Sequence, residues 1–134
     1  PDLAQYWTRK VVETAFSGLT PATGFNGDED QGLMGSLSVL LKIGLFQMNG
    51  GTEENPEYLI GSPIFDKITI QLNPEFYSGE TFVIEATNNI PGNVFVDKAL
   101  LNKQPIETNS ITHSDIIKGG KVVLDMHPGN MNAQ

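Results

Sequence analysis

Apolar residues recur at helical spacing along the first third of the chain. Between Asp2 and Phe16 they fall at three- and four-residue steps, at Leu3, Tyr6, Trp7, Val11 and Ala15. This period predicts a helix with one buried face, and it favours a core position for Trp7 over a sugar-stacking one. Asp2 is a suitable N-cap, and Gly18 is a suitable stop.

A second helix is predicted from about Asp30 to Ile43. Its apolar face comprises Leu33, Leu37, Leu40 and Leu41, and the stripe is widened by Met34, Val39 and Ile43. An apolar stripe this broad is expected to be covered on most sides, so an excised chain would expose part of it. Gly44 can end the helix in the left-handed conformation.

After a polar insert at residues 49–57, the apolar period changes to two residues, which is typical of half-buried strands. Strands are predicted around residues 68–72, 82–86, 94–101 and 121–126. A short helix, Ser114 to Lys118, is expected between the last two, with Thr112 or Ser114 as its cap and Gly119-Gly120 at its end.

This order predicts an α+β fold, in which two N-terminal helices pack on an antiparallel sheet with one short extra helix. Residues 1–134 are expected to form a single domain. Within it, residues 1–48 are assigned to a helical hairpin with an acidic turn, 58–127 to the strand subdomain and 128–134 to a disordered tail.

The amino-acid composition excludes several classes of function. The 134 residues contain sixteen acidic side chains against eight Lys and Arg, and the net charge of −8 would repel nucleic acid and anionic membranes. The absence of cysteine excludes disulfides and thiolate chemistry. No apolar run reaches the roughly 18 residues that a bilayer span requires. A start at Pro1 without Met indicates a processed chain or an excised piece.

Three adjacent carboxylates, Asp28, Glu29 and Asp30, lie in the glycine-rich stretch 24–32. They could occupy the first turn of the second helix, where the helix dipole stabilises anions. They could also supply acid and base groups for glycoside hydrolysis, although their spacing alone is a weak signal. An EF-hand is excluded because its twelfth position is Val39 rather than Glu, and a phosphate loop is excluded because carboxylates repel phosphate.

The amino-acid sequences of four segments are more informative about function than their apolar periodicity. Residues 24–48, GFNGDEDQGLMGSLSVLLKIGLFQM, resemble the acidic segment of glycoside hydrolase family 92, the calcium-dependent, inverting α-mannosidases. Residues 1–16, PDLAQYWTRKVVETAF, 58–72, YLIGSPIFDKITIQL, and 111–126, ITHSDIIKGGKVVLDM, resemble other blocks of that family in the same order.

The resemblance implies the C-terminal portion of a longer exo-acting α-mannosidase, with α-1,2-linked mannose as its expected substrate. The two helices would be the last hairpin of its helical toroid. Asp30 then corresponds to the general base, Asp28 to the acid beside it, and Gly27 and Glu29 to neighbouring substrate-binding positions. The general acid and most calcium ligands would lie upstream, and no metal ligand is assigned here.

The same resemblance implies mannose-containing glycans as substrates, the upstream domains as partners, and a periplasmic, cell-surface or secreted bacterial location. Leu33 and Leu37 depart from the family's usual Gln and Trp, so nearby sugar contacts are expected to differ. The isolated chain is expected to fold without hydrolysing mannosides, because it lacks the acid and a closed pocket. The alternative is a non-catalytic carbohydrate-binding or packing module.

Overall fold

The structure is a computed structural model that describes residues 2–16, 18–20, 22–24 and 33–129. Its helices are α1, Asp2–Ala15, α2, Leu33–Ile43, and α3, His113–Ile117. Its strands are β1, Leu45–Phe46, β2, Glu57–Ile60, β3, Lys67–Gln71, β4, Thr81–Thr87, β5, Phe95–Leu101, β6, Gln104–Pro105, β7, Ser110–Thr112, and β8, Gly120–His127. The predicted α+β class is confirmed. Residues 130–134 of the predicted tail lie outside the described residues.

The strands form two sheets. The smaller has the order β1-β2-β7 and is antiparallel, and the larger has the order β3-β4-β8-β5-β6. In the larger sheet β4 and β8 run parallel, and the other pairs are antiparallel. Alternation predicts the strands but not this pairing, because a parallel pair requires a long crossover that local periodicity does not encode.

The main core lies against the two central strands of the larger sheet. Every second residue of β4 and β8 is buried, namely Phe82, Ile84, Ala86, Val122, Leu124 and Met126. A second, smaller core joins the helices through Val12, Phe16 and Leu41. The sheets therefore supply a rigid base on which the helical hairpin packs.

The predicted buried face of α1 is wrong. The helix buries Gln5, Val12 and Phe16, whereas Trp7 is 60% exposed and lies on the same exposed side as Leu3. Two faces of this helix have helical spacing. The buried face is the one whose polar residues, Gln5 and Arg9, find hydrogen-bond partners in β5 and in the loops at residues 62–63 and 89. The core position predicted for Trp7 is wrong for the same reason.

The expectation that α2 is covered on most sides holds for the described side chains, most of which are buried or half-buried. Leu41 and Ser38 are buried, Leu37 and Leu40 are half-buried, and Val39 is exposed. Gly44 ends the helix with a φ of +79°, as predicted. Among the described side chains, the larger exposed apolar surface is thus on α1 and not on α2, because the second core covers α2 from the α1 side.

Candidate functional site

The predicted site residues Gly27, Asp28, Glu29 and Asp30 lie outside the described residues. The structure describes the chain on either side, up to Gly24 and again from Leu33. Before the gap, the backbone N–H of Thr23 donates to the carbonyl of Thr20 over 3.0 Å, which forms a turn. The catalytic roles of the acidic segment therefore stay predictions. The described residues form a framework that holds α1 and α2, the helices that precede and follow this segment in the sequence.

The first part of that framework is Gln5. This side chain is only 2% exposed, and its Oε1 accepts a hydrogen bond of 3.0 Å from the backbone N–H of Val96. Val96 begins an irregularity in β5, where Asp97 is an extra residue relative to β8. An irregular strand leaves backbone groups without ladder partners, and Gln5 satisfies one of them while fixing α1 to the larger sheet.

Arg9, one turn further along α1, joins three segments. Its Nε donates to Ser62 Oγ over 3.1 Å, and its Nη2 donates to the Pro63 carbonyl and, over 3.2 Å, to Asn89 Oδ1. Burial lowers the pKa of the guanidinium from its usual value, and the carboxylate of Glu13 partly offsets this. Arginine is the most basic of the side chains, so Arg9 stays charged despite this shift. A half-buried, charged donor on three acceptors is a strong structural anchor.

The end of α2 contacts the same segment that Arg9 contacts. The N–H of Ile64 donates to the Lys42 carbonyl over 3.0 Å, and the N–H of Gly61 donates to the Gly44 carbonyl over 2.8 Å. A Cβ on Gly44 would lie 2.7 Å from Pro63 Cδ, so the two chain segments approach closely. Residues 61–64, which we call the anchor segment, therefore bind both helices of the hairpin and set their relative position.

This anchor is not predicted by the sequence analysis. Gln5 and Arg9 stand at i and i+4, which places them on one helix face, but an amphipathic pattern alone would assign that face to solvent. The relevant sequence signal is that Gln5 and Arg9 lie in one segment that resembles the family, and Gly61, Ser62 and Pro63 lie in another. Spacing does not show that the blocks touch.

Both histidines of the chain have structural roles. His113 Nδ1 lies 3.4 Å from the hydroxyl of Tyr58, and its ring also packs against Tyr77. His127 Nδ1 accepts from the backbone of Gly129 over 3.0 Å. Within the described part of the chain, no three His, Asp or Glu side chains converge as a metal site would require. These described residues thus hold α1 and α2 in place and do not converge as a set of metal ligands.

Comparison with known proteins defines the class to which this arrangement belongs. The chain matches the glycosyl hydrolase family 92 catalytic domain across residues 1–128. The protein therefore belongs to glycoside hydrolase family 92. The resemblance seen in the four sequence segments is confirmed.

Solved structures agree with this assignment. A family 92 inverting mannosidase from Bacteroides thetaiotaomicron is 35% identical, with a TM-score of 0.77 over 94% of this chain. A family 92 α-mannosidase from the same species is 25% identical, with a TM-score of 0.80 over 97% of this chain. The fold described above therefore occurs in solved structures of the family.

The chain spans only a small part of these relatives. It covers 16% of each of the two Bacteroides chains. It also covers 16% of a protein described as an uncharacterized secreted glycosidase from Arthroderma benhamiae, with 29% identity over 128 residues. In the described residues no helix is both long and apolar enough to cross a bilayer.

Proposed function

We propose that this chain is the C-terminal portion of a longer, exo-acting α-mannosidase that hydrolyses mannosides, of the α-1,2 type, with inversion. The observation that carries the proposal is the agreement of nearly the whole chain with two family 92 mannosidases in both sequence and fold. The framework of Gln5, Arg9 and the anchor segment supports it, because a catalytic carboxylate must be held in a fixed place.

In the proposed reaction Asp30 is the general base. It removes a proton from a water molecule, and the resulting nucleophile attacks the anomeric carbon while an upstream carboxylic acid protonates the departing oxygen. Asp28 helps to orient that water, and Gly27 and Glu29 lie at the substrate-binding edge. In inverting enzymes the acid and base stand about 6.5–9.5 Å apart, which leaves room for the water.

The remaining elements of the proposal follow from the family resemblance of the sequence. Mannose-containing glycans are the substrates, and the upstream domains complete the pocket. Calcium belongs to the whole enzyme, with ligands mostly outside this chain, and none of the steps above is assigned to it. The secreted glycosidase relative supports an exported protein, and we propose a periplasmic, cell-surface or secreted bacterial enzyme.

Replacing Asp30 by Asn in the whole enzyme tests the assignment of the base. We expect kcat/KM for an α-mannoside to fall by about 10²–10⁴-fold, the usual contribution of a general base, with the thermal midpoint unchanged. Asp97→Asn is the matched control, because Asp97 is an exposed carboxylate on β5. Proton NMR of the first product should detect β-mannose in the unmodified enzyme.

Turnover of Asp30→Asn within about twofold of the unmodified enzyme would contradict this role and would favour a carboxylate that only caps α2. The 134-residue chain alone should hydrolyse no α-mannoside, since it lacks the acid and a closed site. If the 134-residue chain instead binds mannosides, and Asp30→Asn does not change turnover by the whole enzyme, the chain is better described by the alternative, a non-catalytic carbohydrate-binding or packing module.

A further inference from the structure

The loop between β1 and β2 contains an exposed asparagine that is followed by two glycines. Asn49, Gly50 and Gly51 are all exposed, and the glycines have positive φ angles of +63° and +72°. A Cβ at Gly50 would meet no atom within 4 Å, so the space around this peptide unit is open. Of the asparagines that the structure describes, Asn49 alone precedes a glycine.

The backbone nitrogen of Gly50 is not engaged by the turn. In the described part of the chain no group accepts a hydrogen bond from its N–H. The N–H of Gly51 donates to Gln47 Oε1 over 2.8 Å, and the N–H of Thr52 donates to the Asn49 carbonyl over 3.3 Å. The turn therefore uses the two following amides and leaves the Gly50 nitrogen available. Glycine also has no Cβ that would hinder the formation of a bond at its nitrogen.

The side chain of Asn49 is held through its nitrogen. Its Nδ2 donates to the carboxylate of Glu53. This contact does not cover the carboxamide carbon, Cγ, which lies next to the Gly50 nitrogen along the chain. The atoms Cγ, Cβ, Cα, C and the Gly50 nitrogen form a continuous segment, so a bond between its ends closes a five-membered ring as an intramolecular reaction.

We propose that Asn49 is a site of spontaneous deamidation, a covalent modification that accumulates as the protein ages. The Gly50 nitrogen forms a bond to Asn49 Cγ, the Cγ–Nδ2 bond breaks, and the proton of the Gly50 N–H leaves with Nδ2 as ammonia. Water then opens the cyclic imide at one of its two carbonyls. Attack at Cγ gives aspartate, and attack at the backbone carbonyl gives isoaspartate. The inference goes beyond the proposed function and does not depend on it.

The product has the opposite electrostatic relation to its neighbour. The carboxamide of Asn49 donates to the Glu53 carboxylate, whereas the new carboxylate would repel it. Glu54 and Glu57 lie in the same part of the chain, and the modification adds one further negative charge, which changes the net charge from −8 to −9. We therefore expect the modified loop to open near Asn49.

The opening should be confined to one end of the loop. Isoaspartate lengthens the main chain by one methylene at position 49, which changes the spacing between Gln47 and Gly51 and so weakens their hydrogen bond. The other end is fixed separately, because Asn55 Oδ1 accepts from the N–H of Ser114 over 2.9 Å and from its hydroxyl over 2.8 Å. These two contacts are independent of the Asn49 side chain.

Ageing the complete protein at mildly alkaline pH tests the reaction, since attack requires the nitrogen to lose its proton. Peptide mass spectrometry locates the conversion, and an isoaspartate-specific methyltransferase labels the rearranged product. We expect Asn49 to convert at least about tenfold faster than Asn102, an exposed turn residue that precedes Lys103. Asn55 is the control within the same loop, because Pro56 has no N–H and the cyclic imide cannot form.

The structural consequence is measured with Asn49→Asp, which has the side chain of one product. We expect the N–H of Gly51 to exchange with solvent about fivefold faster than in the unmodified protein, and the N–H of Ser114 to be unchanged. Asn55→Asp is the matched variant, since it adds the same charge to the loop while keeping an oxygen that accepts from Ser114. It should leave exchange at Gly51 unchanged.

Several results would overturn the inference. One is an Asn49 that survives in the native protein as long as Asn102 but converts rapidly in urea, which would mean that the fold protects it. Another is conversion only at Asn26, which also precedes a glycine and lies outside the described residues. Equal exchange at Gly51 in Asn49→Asp and Asn55→Asp would contradict the opening of the loop. None of these measurements depends on whether the protein hydrolyses mannosides.

Discussion

Gln5 lies one helical turn before Arg9 on α1, and both side chains reach groups far away in the sequence. Gln5 bonds to a residue 91 positions along the chain, and Arg9 to residues 53, 54 and 80 positions along it. An unsatisfied buried polar group costs about 1–3 kcal/mol, so these partners decide which side of α1 faces inward. The hydrogen bonds of these two polar residues outweigh the burial of the apolar face that local patterning favours.

Removing the guanidinium should therefore destabilise the 134-residue chain. We expect Arg9→Met to lower the free energy of unfolding by about 2–3 kcal/mol, because fully buried Ser62 and the Pro63 carbonyl lose a charged donor. Urea denaturation followed by far-UV circular dichroism measures the change. Lys10→Met, at an exposed neighbour on the same helix, should alter stability by no more than about 0.5 kcal/mol. Equal effects of the two substitutions would contradict the anchoring role of Arg9.

At the scale of elements, the short helix α3 illustrates what local sequence can specify. Thr112 Oγ1 accepts from the N–H of Asp115 over 3.2 Å, and the Asp115 carboxylate accepts from the N–H of Thr112 over 3.0 Å. This reciprocal capping box depends on residues only three positions apart. The sequence predicts Thr112 or Ser114 as the cap and Gly119-Gly120 as the end, and the structure selects Thr112. Such a prediction is possible because all the interacting atoms belong to one short segment.

The sequence does not predict the strands of the smaller sheet individually. β1 and β7 contain two and three residues, and they are held by pairing with β2 rather than by their own pattern. Alternation cannot be recognised over so few positions. Their existence depends on the contact between the helical hairpin and the anchor segment, which brings β1 beside β2.

The contact between α2 and the anchor segment is sensitive to the size of the side chain at position 44. Gly44→Ala would require a left-handed φ and would place a Cβ against Pro63. We expect a loss of about 2–4 kcal/mol in the free energy of unfolding. The matched variant is Gly61→Ala, whose Cβ would lie 3.6 Å from Gly44, an ordinary contact. A Gly44→Ala protein as stable as Gly61→Ala in urea denaturation would contradict the close approach.

At the scale of the whole molecule, the chain has a rigid sheet base and a helical hairpin that is covered on one side. Leu3, Trp7 and Val11 on the outer face of α1 expose their apolar area to water. The high negative charge opposes association of two copies. The isolated chain should therefore associate only weakly, and more strongly as salt screens the charge.

We expect sedimentation velocity to detect self-association of the isolated chain with a dissociation constant on the order of 0.1 mM. Trp7→Glu should abolish it by placing a charge in the exposed apolar face formed by Leu3, Trp7 and Val11. Phe76→Glu is the control, since Phe76 is similarly exposed but lies in the turn between β3 and β4. A monomer at all concentrations and salt levels, or equal effects of both variants, would contradict a role for this face of α1 in the association.

The sequence by itself determined the elements whose atoms interact within a few residues: two long helices, the capped α3, the alternating strands β3, β4, β5 and β8, and the left-handed stop at Gly44. The family resemblance added a hypothesis for Asp28 and Asp30, which lie outside the described residues. Only the tertiary structure decided that Gln5 faces inward and Trp7 outward, that β4 and β8 run parallel, and that one segment anchors both helices. The orientation of α1 depends on partners 53 to 91 positions away, which the local spacing of apolar residues does not encode.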